Sequence, residues 1–515
     1  MPALANSAVI AVIGSGAMGA GIAQVAAAAG FPVKLYDTRP EAVAKALADI
    51  GANYLLLVEK GRMSGADAAA AGARLQAAET LADVADAALV VEAIVESLDV
   101  KRALFAELEG RVSDACILAT NTSSISVTAI AAQLRLPQRL VGMHFFNPVP
   151  RMALVEVISG LATSPAVAAT VFATAAVWGK KPVHAKSTPG FIVNRVARPF
   201  YAEALRLLTE QAGNVATLDA VMREAGGFRM GPFELMDLIG HDVNFAVTQS
   251  VFAAYFNDPR FTPSVLQQEL VSAGYLGRKS GRGFYHYKDG APAAQPDTEG
   301  HQPQPEFIRY GDAVGARMPG ADALAARLIQ AGIKIGPALN SSQCGDAPAF
   351  YCNGAAVHLT DGRSATARAL ANHVSDTVLF DLACDYARAT RIALTCADQC
   401  NPAAYNAVVG LFQAAGFAVS RLDDVPGLAV MRTVAMLANE AADVVYQGVC
   451  TAPAVDTAML AGVNYPRGPL AWADAVGLHQ IVNVLTNLAA SYGEDRYRVS
   501  PLLRRKFANG VSFHA

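Results

Sequence analysis

The chain has 515 residues, of which 53% are hydrophobic and 17% charged, and its formal net charge is -3. This length exceeds what one core normally holds and predicts three or four domains, roughly one per 150 residues. The composition excludes a disordered or collagen-like chain. No long run of lysine and arginine occurs, which argues against nucleic-acid binding as the main function.

The first 187 residues alternate short apolar runs with alanine-rich stretches of helical character. This alternation predicts a Rossmann-type, doubly wound and mainly parallel sheet with helices on both faces. The predicted strands are AVIAVIG, VKLYD, ALVVEAI, CILATNT, RLVGMHFF, LVEVIS and KPVHA. Residues 1–187 are therefore predicted to form an α/β domain.

The next two segments differ in character. In residues 188–287 apolar residues recur at helical spacing, as in Phe200, Ala204, Leu207 and Leu208, which predicts an all-α domain. Residues 288–305 read KDGAPAAQPDTEGHQPQP, and this proline-rich, glycine-rich and polar composition predicts an exposed linker.

The remaining chain is predicted to repeat this organisation in reduced form. Residues 306–422 contain the strand-like runs IKIGPAL, AVHLTDG, TVLFDLA, RIALTCA and FAVSRLD, which indicate a reduced Rossmann-like α/β domain. Residues 423–515 are predicted to be helical and repeat residues 188–287 with a shift of 237 positions. The matching positions are PGFIVNR at Pro189 and PGLAVMR at Pro426, Glu203 and Glu440, Asp219 and Asp456, Gly231-Pro232 and Gly468-Pro469, Asp237 and Asp474, and Gly240 and Gly477.

A glycine-rich turn follows the first predicted strand and opens a helix. The motif GxGxxG lets a pyrophosphate approach the backbone at the positive end of the helix dipole. Its predicted cofactor-binding residues are Gly14, Gly16, Ala17, Met18 and Gly19. The alternative is a tight turn in a flavodoxin-like fold that binds nothing.

Asp37 ends the second predicted strand, 23 residues after Gly14. A carboxylate at this position can accept hydrogen bonds from a ribose 2'-hydroxyl, and it repels the extra phosphate of NADP. The sequence therefore favours NAD as the cofactor. Arg39, two residues further on, weakens this preference.

His144 and Glu156 form the predicted acid-base pair. Hydride transfer from an alcohol needs a base that titrates near neutrality, and His144 ends a strand at the sheet edge where doubly wound folds bind ligands. Glu156 lies in the next apolar strand, where an unpaired carboxylate is costly. A hydrogen bond between them would fix the imidazole tautomer and stabilise the imidazolium. The alternative is a core histidine beside an unrelated surface glutamate.

Four motifs, HFFNPVP, STPGFIVNR, MGPFELMD and GRKSGRGFY, closely resemble those of the L-3-hydroxyacyl-CoA dehydrogenases of fatty-acid oxidation. The resemblance spans residues 8–288. It implies that His144 is the general base, that Glu156 orients it, and that Ser123 and Asn194 hydrogen-bond the substrate oxygen.

The same resemblance implies further ligand contacts. Near NAD it places Glu96, Lys101, Asn147 and Lys279, and at the CoA phosphates it places Lys60. From the residues alone, Glu96 and Lys101 could equally be a solvated surface pair, and Ser123 or Asn194 an ordinary helix cap.

The second half resembles the long bacterial 3-hydroxybutyryl-CoA or 3-hydroxyadipyl-CoA dehydrogenases, the latter belonging to phenylacetate breakdown. Met431 stands 237 positions after Asn194, so we expect one active site per chain. In short relatives the helical domain is the dimer interface, and we expect the second copy to imitate that contact within one chain, in a possible homo-oligomer. Arg229 could meet a distal substrate carboxylate, or form a salt bridge at a helix end.

Two rival functions stay open at this point. One is a free hydroxy-acid dehydrogenase of the L-gulonate type, and the other is a non-catalytic structural protein of crystallin type. We also expect a cytoplasmic protein with reduced thiols, no metal and no membrane contact. The seven cysteines show no CxxC pair or zinc-finger spacing, and neither a signal peptide nor a membrane span is predicted.

Overall fold

A computed structural model describes residues 1–288, 294–311, 318–336 and 347–514. These residues form two compact units. The first contains residues 1–195 and 447–464, and the second contains residues 196–446 and 465–515. A short piece of the second helical copy thus belongs to the same unit as the N-terminal sheet, so the compact units do not follow the predicted domains one by one.

The described residues form fifteen strands. In chain order they are β1 (Ile10–Ile13), β2 (Val33–Tyr36), β3 (Leu75–Ala77), β4 (Leu89–Glu92), β5 (Ile117–Thr120), β6 (Leu140–Phe145), β7 (Leu154–Ser159), β8 (Lys181–Lys186), β9 (Phe307–Tyr310), β10 (Lys334–Gly336), β11 (Phe350–Cys352), β12 (Ala355–Leu359), β13 (Thr377–Phe380), β14 (Arg391–Cys396) and β15 (Ala418–Arg421).

The described residues also form twenty α-helices. They are α1 (Ala17–Ala28), α2 (Pro40–Glu59), α3 (Gly65–Ala73), α4 (Leu98–Glu109), α5 (Val127–Ala131), α6 (Pro165–Val177), α7 (Val193–Val196), α8 (Arg198–Thr209), α9 (Val215–Glu224), α10 (Pro232–Ile239), α11 (His241–Ala254), α12 (Val265–Ser272), α13 (Ala321–Gln330), α14 (Ala365–Asn372), α15 (Pro402–Ala414), α16 (Val430–Tyr446), α17 (Ala452–Gly462), α18 (Pro469–Val476), α19 (Leu478–Tyr492) and α20 (Pro501–Asn509).

The first unit is built on an eight-stranded sheet in the order β3-β2-β1-β4-β5-β6-β7-β8. All neighbours are parallel except β6 and β7, which are antiparallel. Strands β1, β4 and β5 are buried along their whole length because helices cover both faces, and their side chains are apolar except Glu92 and Thr120 at the ends of β4 and β5. The predicted doubly wound sheet is confirmed, and β3 is the strand that the sequence patterns missed.

The second unit contains a seven-stranded sheet in the order β10-β9-β11-β12-β13-β14-β15. Strand β11 is antiparallel to both of its neighbours, and β13 is antiparallel to β14. The predicted reduced α/β fold is confirmed, with β9 and β11 as additional strands. The predicted run IKIGPAL is observed as β10, and its last three residues lie outside the described part.

The internal repeat extends further along the chain than the sequence analysis found. Adding 237 to the first and last residue numbers of β7 gives those of β14, and the same holds for α6 and α15. Helices α10 and α18 are related in the same way. The duplication therefore includes the later strands of the sheet as well as the helical domain.

The predicted linker is exposed along much of its described part, but hydrogen bonds hold it in place. The Asp297 amide donates to Thr217 Oγ1 at 2.8 Å, and the Glu299 amide donates to the Val419 carbonyl at 2.8 Å. Residues 294–305 form neither helix nor strand. This segment is an ordered strap on the second unit rather than a free connection.

The six cysteines in the described residues are free thiols, and Cys344 lies outside the described part. Among the described residues, every helix is too short or too polar to be a candidate membrane span.

Candidate active site

The glycine-rich turn joins β1 to α1 at the point where the strand order reverses. Gly14 has a φ of +103°, and a Cβ atom there would lie 2.5 Å from the Ala93 carbonyl oxygen. A Cβ atom on Gly19 would lie 1.8 Å from the Gly14 carbonyl oxygen. These two positions exclude any larger residue, because the turn packs helix, strand and neighbouring loop closely together.

The start of α1 can accept a pyrophosphate. A Cβ atom on Gly16 would meet nothing within 4 Å, so the backbone there borders open space. No side chain caps the helix at Gly16, and the first turn carries no acidic residue. The exposed residues Gly16 and Ala17 and the half-buried Met18 thus present uncapped amides and the positive end of the helix dipole. These features fit the dinucleotide that the sequence predicts.

Asp37 lies beside this turn. Its Oδ2 accepts hydrogen bonds of 2.9 Å from both the backbone and the hydroxyl of Ser15. Arg39 contributes a backbone hydrogen bond and an ion pair of 3.6 Å to Oδ1. Burial raises the pKa of Asp37, but these hydrogen bonds and the Arg39 charge outweigh it, and the pKa lies below the ordinary 3.8. The carboxylate is therefore ionised at neutral pH.

Lys101 lies between two glutamates at the end of β4. Its Nζ lies 2.6 Å from Glu92 Oε1 and 3.2 Å from Glu96 Oε2. Lys101 is 1% exposed and Glu92 is fully buried, so the predicted alternative of a solvated Glu96–Lys101 surface pair is wrong. Glu92 was missed by the sequence analysis, although an acidic residue inside the run ALVVEAI is the signal that singled out Glu156.

Glu96 organises the turn Thr122-Ser123-Ser124. Its Oε1 accepts hydrogen bonds from the Thr122 hydroxyl at 2.7 Å, the Ser123 amide at 3.0 Å and the Ser124 hydroxyl at 2.9 Å. Burial raises the pKa of Glu96, but these bonds and the Lys101 charge lower it to a net value below 4.5. The Ser123 hydroxyl also donates to this oxygen, but over 3.4 Å, so this hydrogen bond is weak and can be exchanged for one to another partner.

His144 and Glu156 face each other across the antiparallel strands β6 and β7, where they are register partners. His144 Nδ1 lies 2.7 Å from Glu156 Oε2, with His144 5% exposed and Glu156 fully buried. Because a carboxylate only accepts, Nδ1 carries a proton, and in the neutral form of the ring Nε2 has the free lone pair. The alternative of a core histidine beside a surface glutamate is excluded.

The second oxygen of Glu156 is also held. Oε1 accepts hydrogen bonds of 3.0 Å from the amides of Ile192 and Val193, which open α7. The turn before them contains Phe191 with a φ of +46°, an unusual value for a non-glycine residue. Glu156 thus connects the histidine to the segment that carries Asn194, and Asn194 Nδ2 donates to the Ser123 carbonyl at 3.4 Å.

Asn121 is a further site residue that the sequence analysis missed. Its Oδ1 accepts a hydrogen bond of 2.8 Å from the Phe145 amide, next to His144. This bond joins the end of β5 to the end of β6. The signal was present in the run CILATNT, because an amide directly after a buried strand often bonds the neighbouring strand.

The sequence analysis predicted four further ligand contacts. Lys60 is the C-cap of α2 and Asn147 follows β6, and both are exposed on the first unit. Lys279 belongs to the second unit, where its Nζ lies 2.7 Å from Asp242 Oδ2. Arg229, also in the second unit, is exposed, and no ion pair to it is found among the described residues.

The second copy lacks the equivalent groups. Asp381 stands 237 positions after His144, Ala393 stands after Glu156, and Met431 after Asn194. Asp381 is fully buried and accepts hydrogen bonds of 2.7–2.9 Å from the amides of Val430 and Met431, among others. Burial raises its pKa to about 6. In the first copy the carboxylate that holds the start of the helical segment lies in β7. In the second copy it directly follows β13, the neighbour of the strand equivalent to β7.

A dinucleotide turn, a buried histidine-carboxylate pair and a doubly wound sheet define an NAD-dependent dehydrogenase. The chain belongs to the 3-hydroxyacyl-CoA dehydrogenase family. The NAD binding domain of the 3-hydroxyacyl-CoA dehydrogenases matches residues 9–188, and their C-terminal domain matches twice, over residues 190–287 and 427–512. The 3-hydroxybutyryl-CoA dehydrogenase reduced Rossmann-fold domain matches residues 357–426. The predicted family, enzyme class, cofactor and duplication are confirmed.

A curated protein and a solved structure, both from Escherichia coli K12, are similar over nearly the whole chain. A 3-hydroxyadipyl-CoA dehydrogenase is 41% identical over 506 residues, covering 97% of this chain and 98% of its own. The crystal structure of a 3-hydroxybutyryl-CoA dehydrogenase has a TM-score of 0.86 at 40% identity, covering 98% of this chain and 99% of that one. The (S)-3-hydroxybutyryl-CoA dehydrogenase structure from Ralstonia eutropha has a TM-score of 0.53 at 40% identity, covering 55% and 99% respectively.

Proposed function

We propose that this chain oxidises the 3-hydroxyl group of an (S)-3-hydroxyacyl-CoA to the 3-ketone with NAD, and catalyses the reverse reduction. The observation that carries the proposal is the 2.7 Å contact between His144 Nδ1 and Glu156. It leaves Nε2 as a neutral base at the sheet edge that also carries the glycine turn. The direction of net flux depends on the reactant concentrations.

His144 acts as the general base. NAD, when bound along the glycine turn, supplies the nicotinamide carbon that takes the hydride from C3. His144 Nε2 takes the hydroxyl proton, so the C–H and O–H bonds break and a C=O bond forms. Glu156 stabilises the resulting imidazolium without becoming protonated itself. In the reverse direction His144 returns the proton to the oxygen.

Ser123 and Asn194 bind the substrate oxygen. Both are uncharged donors, so they stabilise the developing alkoxide without trapping the product. The Asn194 side chain donates from Nδ2 to the Ser123 backbone carbonyl at 3.4 Å, so the two residues are neighbours within the first unit. On the cofactor side we propose that Asp37 binds the adenosine ribose and that Glu96 and Lys101 lie near the nicotinamide ribose. Asn147 of the first unit and Lys279 of the second are proposed as further NAD contacts.

Lys60 is proposed to meet the CoA phosphates. It is exposed at the end of α2, and its side chain forms no ion pair with the described residues. A free ammonium group on the surface suits a phosphate ligand, because both groups keep part of their hydration.

Two substrates are proposed from the named relatives, 3-hydroxyadipyl-CoA and 3-hydroxybutyryl-CoA. The rival functions predict different behaviour. A free hydroxy-acid dehydrogenase would act on acids without CoA, and a structural protein of crystallin type would act on neither. The intact set of His144, Glu156, Ser123 and Asn194 supports the thioester dehydrogenase.

A substrate panel monitored by NADH absorbance tests the proposed function. The panel contains both thioesters, the corresponding free acids and L-gulonate, each with NAD and with NADP. We expect turnover with the thioesters and NAD. Turnover of the free acids alone would establish the first rival, and no turnover of any compound would establish the second.

We propose the domain boundaries that the sequence predicts. Residues 1–187 form the NAD-binding domain, residues 188–287 and 423–515 the two helical copies, residues 288–305 the linker and residues 306–422 the reduced α/β domain.

A cytoplasmic location suits an enzyme that uses NAD and CoA thioesters. Acyl-CoA is the proposed small-molecule partner, with no role for nucleic acid or membrane.

We further propose that the two copies form an intramolecular pseudo-dimer. In a twofold contact, if residue i meets residue j, the equivalent of j meets the equivalent of i. The Lys186 amide donates to the Val449 carbonyl at 2.9 Å in the first unit, and the Asp423 amide donates to the Ala212 carbonyl at 2.9 Å in the second. The shift of 237 converts each of these hydrogen bonds into the other.

Side chains support the same relation. Arg195 Nη1 donates to Gln447 at 2.8 Å in the first unit, and its equivalent Arg432 donates to Glu210 at 2.9 Å in the second. Helix α9 packs on β14, and its equivalent α17 packs on β7, the equivalent of β14. This reciprocity is typical of a former homodimer whose two chains have been joined.

A further inference from the structure

The second unit carries two cysteines at a turn between a strand and a helix. Cys396 is the last residue of β14, and Cys400 stands just before Asn401, the N-cap of α15. The Cys400 amide donates to the Ala397 carbonyl at 2.9 Å, so the chain reverses direction between the two cysteines. Their thiols are hydrogen-bonded to each other, and both residues are half-buried. The two sulfur atoms are therefore neighbours that a small solute can reach.

The Cys396 thiol lies beside a cation. Arg421, the last residue of β15, donates from Nη2 to Cys396 Sγ at 3.6 Å. The guanidinium carbon of Arg421 also lies 4.8 Å from the centre of the Tyr405 ring on α15, a cation–π contact that holds the side chain in place. A positive charge next to a thiol favours the thiolate, which is the nucleophilic form of cysteine.

Cys396 is the more acidic thiol of the pair. The hydrogen bond from the Cys400 thiol and the charge of Arg421 outweigh burial and the nearby carboxylates of Asp424 and Asp398, and they lower the pKa of Cys396 from 9.0 to about 7. The same hydrogen bond and burial raise the pKa of Cys400, so Cys400 keeps its proton. At neutral pH the pair therefore consists of a thiolate and a thiol.

The other described cysteines are not activated in this way. Burial raises the pKa of Cys116, Cys352, Cys384 and Cys450 to about 12. Cys116 and Cys352 are also buried from solvent. Among the six described cysteines, Cys396 thus combines a lowered pKa with access to solvent.

The backbone of this turn occurs in both copies of the repeat. The Thr163 amide donates to the Gly160 carbonyl at 3.3 Å, which is the equivalent of the hydrogen bond between Cys400 and Ala397. The side chains differ, and the residues related by the shift of 237 are Ser159 and Cys396, Thr163 and Cys400, and His184 and Arg421. The turn forms without sulfur in the first copy, so its fold does not account for the thiol pair and the arginine of the second.

We propose that Cys396 and Cys400 are a thiol pair that hydrogen peroxide oxidises to a disulfide, with Arg421 stabilising the Cys396 thiolate. The Cys396 sulfur attacks one peroxide oxygen, so an S–O bond forms, the O–O bond breaks, and water leaves with the proton that Cys396 had released. The Cys400 sulfur then attacks the Cys396 sulfur, an S–S bond forms, and a second water leaves with the Cys400 proton. The two thiols lose two electrons, and the peroxide is reduced to two waters.

This modification site is separate from the proposed dehydrogenase chemistry. Residues 376–424, which include the whole turn and its charged neighbours, belong to the second unit, whereas His144 and Glu156 belong to the first. In a reducing compartment the pair remains as two thiols until an oxidant appears, as is usual for redox-sensing cysteines. The proposal therefore stands or falls independently of the proposed function.

Mass spectrometry of the full-length protein tests the proposal. Trypsin releases residues 392–421 as one peptide, and this peptide contains Cys396 and Cys400 and no other cysteine. The reduced protein is treated at pH 7 with a few equivalents of hydrogen peroxide, alkylated with iodoacetamide and digested. We expect this peptide to lose two hydrogen atoms and to escape alkylation, and dithiothreitol should restore both thiols.

Single substitutions separate the roles of the three residues. In Cys400→Ser the oxidation of Cys396 should stop at the sulfenic acid, which dimedone traps as an adduct. In Cys396→Ser the Cys400 thiol should stay reduced. Arg421→Gln should slow the alkylation of Cys396 at pH 7 about 3- to 10-fold, because removal of the cation raises the pKa and leaves less thiolate. The matched control, Cys450→Ser, should form the same disulfide as the wild type.

A wild-type peptide 392–421 that stays reduced would overturn the proposal, whichever other cysteines react. A disulfide from Cys396 or Cys400 to a third cysteine would overturn it as well. Oxidation of wild-type Cys396 directly to a sulfinic acid would show that Cys400 does not resolve the sulfenic acid, with the same consequence. An unchanged rate of alkylation in Arg421→Gln would overturn the role given to Arg421. The decisive measurement uses the wild type and does not depend on the folding of any variant.

Discussion

His144 depends on its partner for its chemistry. The imidazole is buried, and only Nδ1 has a hydrogen-bond partner among the described residues, at 2.7 Å from Glu156. A neutral histidine with a fixed tautomer is ready to take a proton at Nε2. The same geometry fixes the ring, because Phe146 and Phe191 lie against it with ring centres 4.5 and 5.9 Å away.

Replacing His144 by Gln should lower kcat about 10²- to 10⁴-fold, the usual contribution of a positioned base. The affinity for NAD should change little, because Gly14, Gly16 and Asp37 are untouched. Steady-state kinetics and fluorescence titration with NADH measure the two effects. His184→Gln is the matched control, since His184 is an exposed histidine of the same sheet. Near-normal turnover of His144→Gln would refute the assignment.

At the residue level, a site residue could be predicted from the sequence where the reaction requires a particular type of side chain. His144 and Glu156 could be found because a base and a buried carboxylate in adjacent strands need each other. Glu92 and Asn121 stood out as polar residues at strand ends, but their partners could not be predicted. The contact of Glu92 with Lys101 depends on how α4 packs at the end of β4, and the bond of Asn121 to the Phe145 amide depends on β5 and β6 being neighbours. Both contacts are properties of the tertiary structure and cannot be read from local spacing.

Among the elements, the segment that opens each helical copy relies on one buried carboxylate. Glu156 holds it in the first copy, and Asp381 holds it in the second. Asp381 Oδ2 accepts the amides of Ala429 and Val430, and Oδ1 accepts those of Leu382 and Met431. The amide donors Ala429 and Val430 are the equivalents of Ile192 and Val193. The acceptors Glu156 and Asp381 are not at equivalent positions.

Asp381→Asn should destabilise the second unit at neutral pH, because one carboxylate oxygen becomes an NH₂ group facing amide donors. Each donor left unpaired costs about 1–3 kcal/mol. Differential scanning calorimetry should show a lower Tm. An unchanged Tm at pH 7 would contradict the proposed role of Asp381.

The pH dependence of the same variant has a definite sign. The pKa of Asp381 is raised from 3.8 to about 6. The folded state therefore binds the proton more tightly than the unfolded state, and wild-type stability falls as the pH rises from about 4 to about 6. Asp381→Asn should lack this component, so the Tm of the wild type should exceed that of the variant by more at pH 4 than at pH 7. A difference independent of pH would argue against it.

Longer apolar strands were predictable, and the short strands β3, β9 and β11 were not. Strands β3 and β11 have three residues each and β9 has four, which is too short for a period to separate them from loops. The repeat was recognised in the helices through Pro-Gly and Asp landmarks. In the sheets the repeat is visible in the positions of the strands but not in their residues, because buried apolar residues exchange freely for one another.

At the scale of the whole molecule, the two helical copies depend on each other within the second unit. Arg432 is fully buried against Glu203, which is also buried, and it lies 2.9 Å from Glu210. Helix α8 packs directly on α16. A chain that ends after the first copy would expose this face of α8 and leave Glu203 without its cation.

A fragment of residues 1–288 should therefore self-associate, as a substitute for the missing second copy. Sedimentation velocity over a range of concentrations should show dimers or larger species, with the full-length chain as the control. A fragment that stays folded and monomeric would show that α8 does not need a partner.

The reciprocal hydrogen bonds of Lys186 and Asp423 carry a consequence for how the enzyme responds to dilution. Two separate subunits come apart as their concentration falls, whereas partners joined by one backbone remain at a high local concentration whatever the volume around them. In the proposed pseudo-dimer the two halves are also free to diverge, since a mutation alters one side of the interface instead of two. One half could therefore keep the histidine and the other could give it up, while the scaffold that both provide stays intact at nanomolar enzyme.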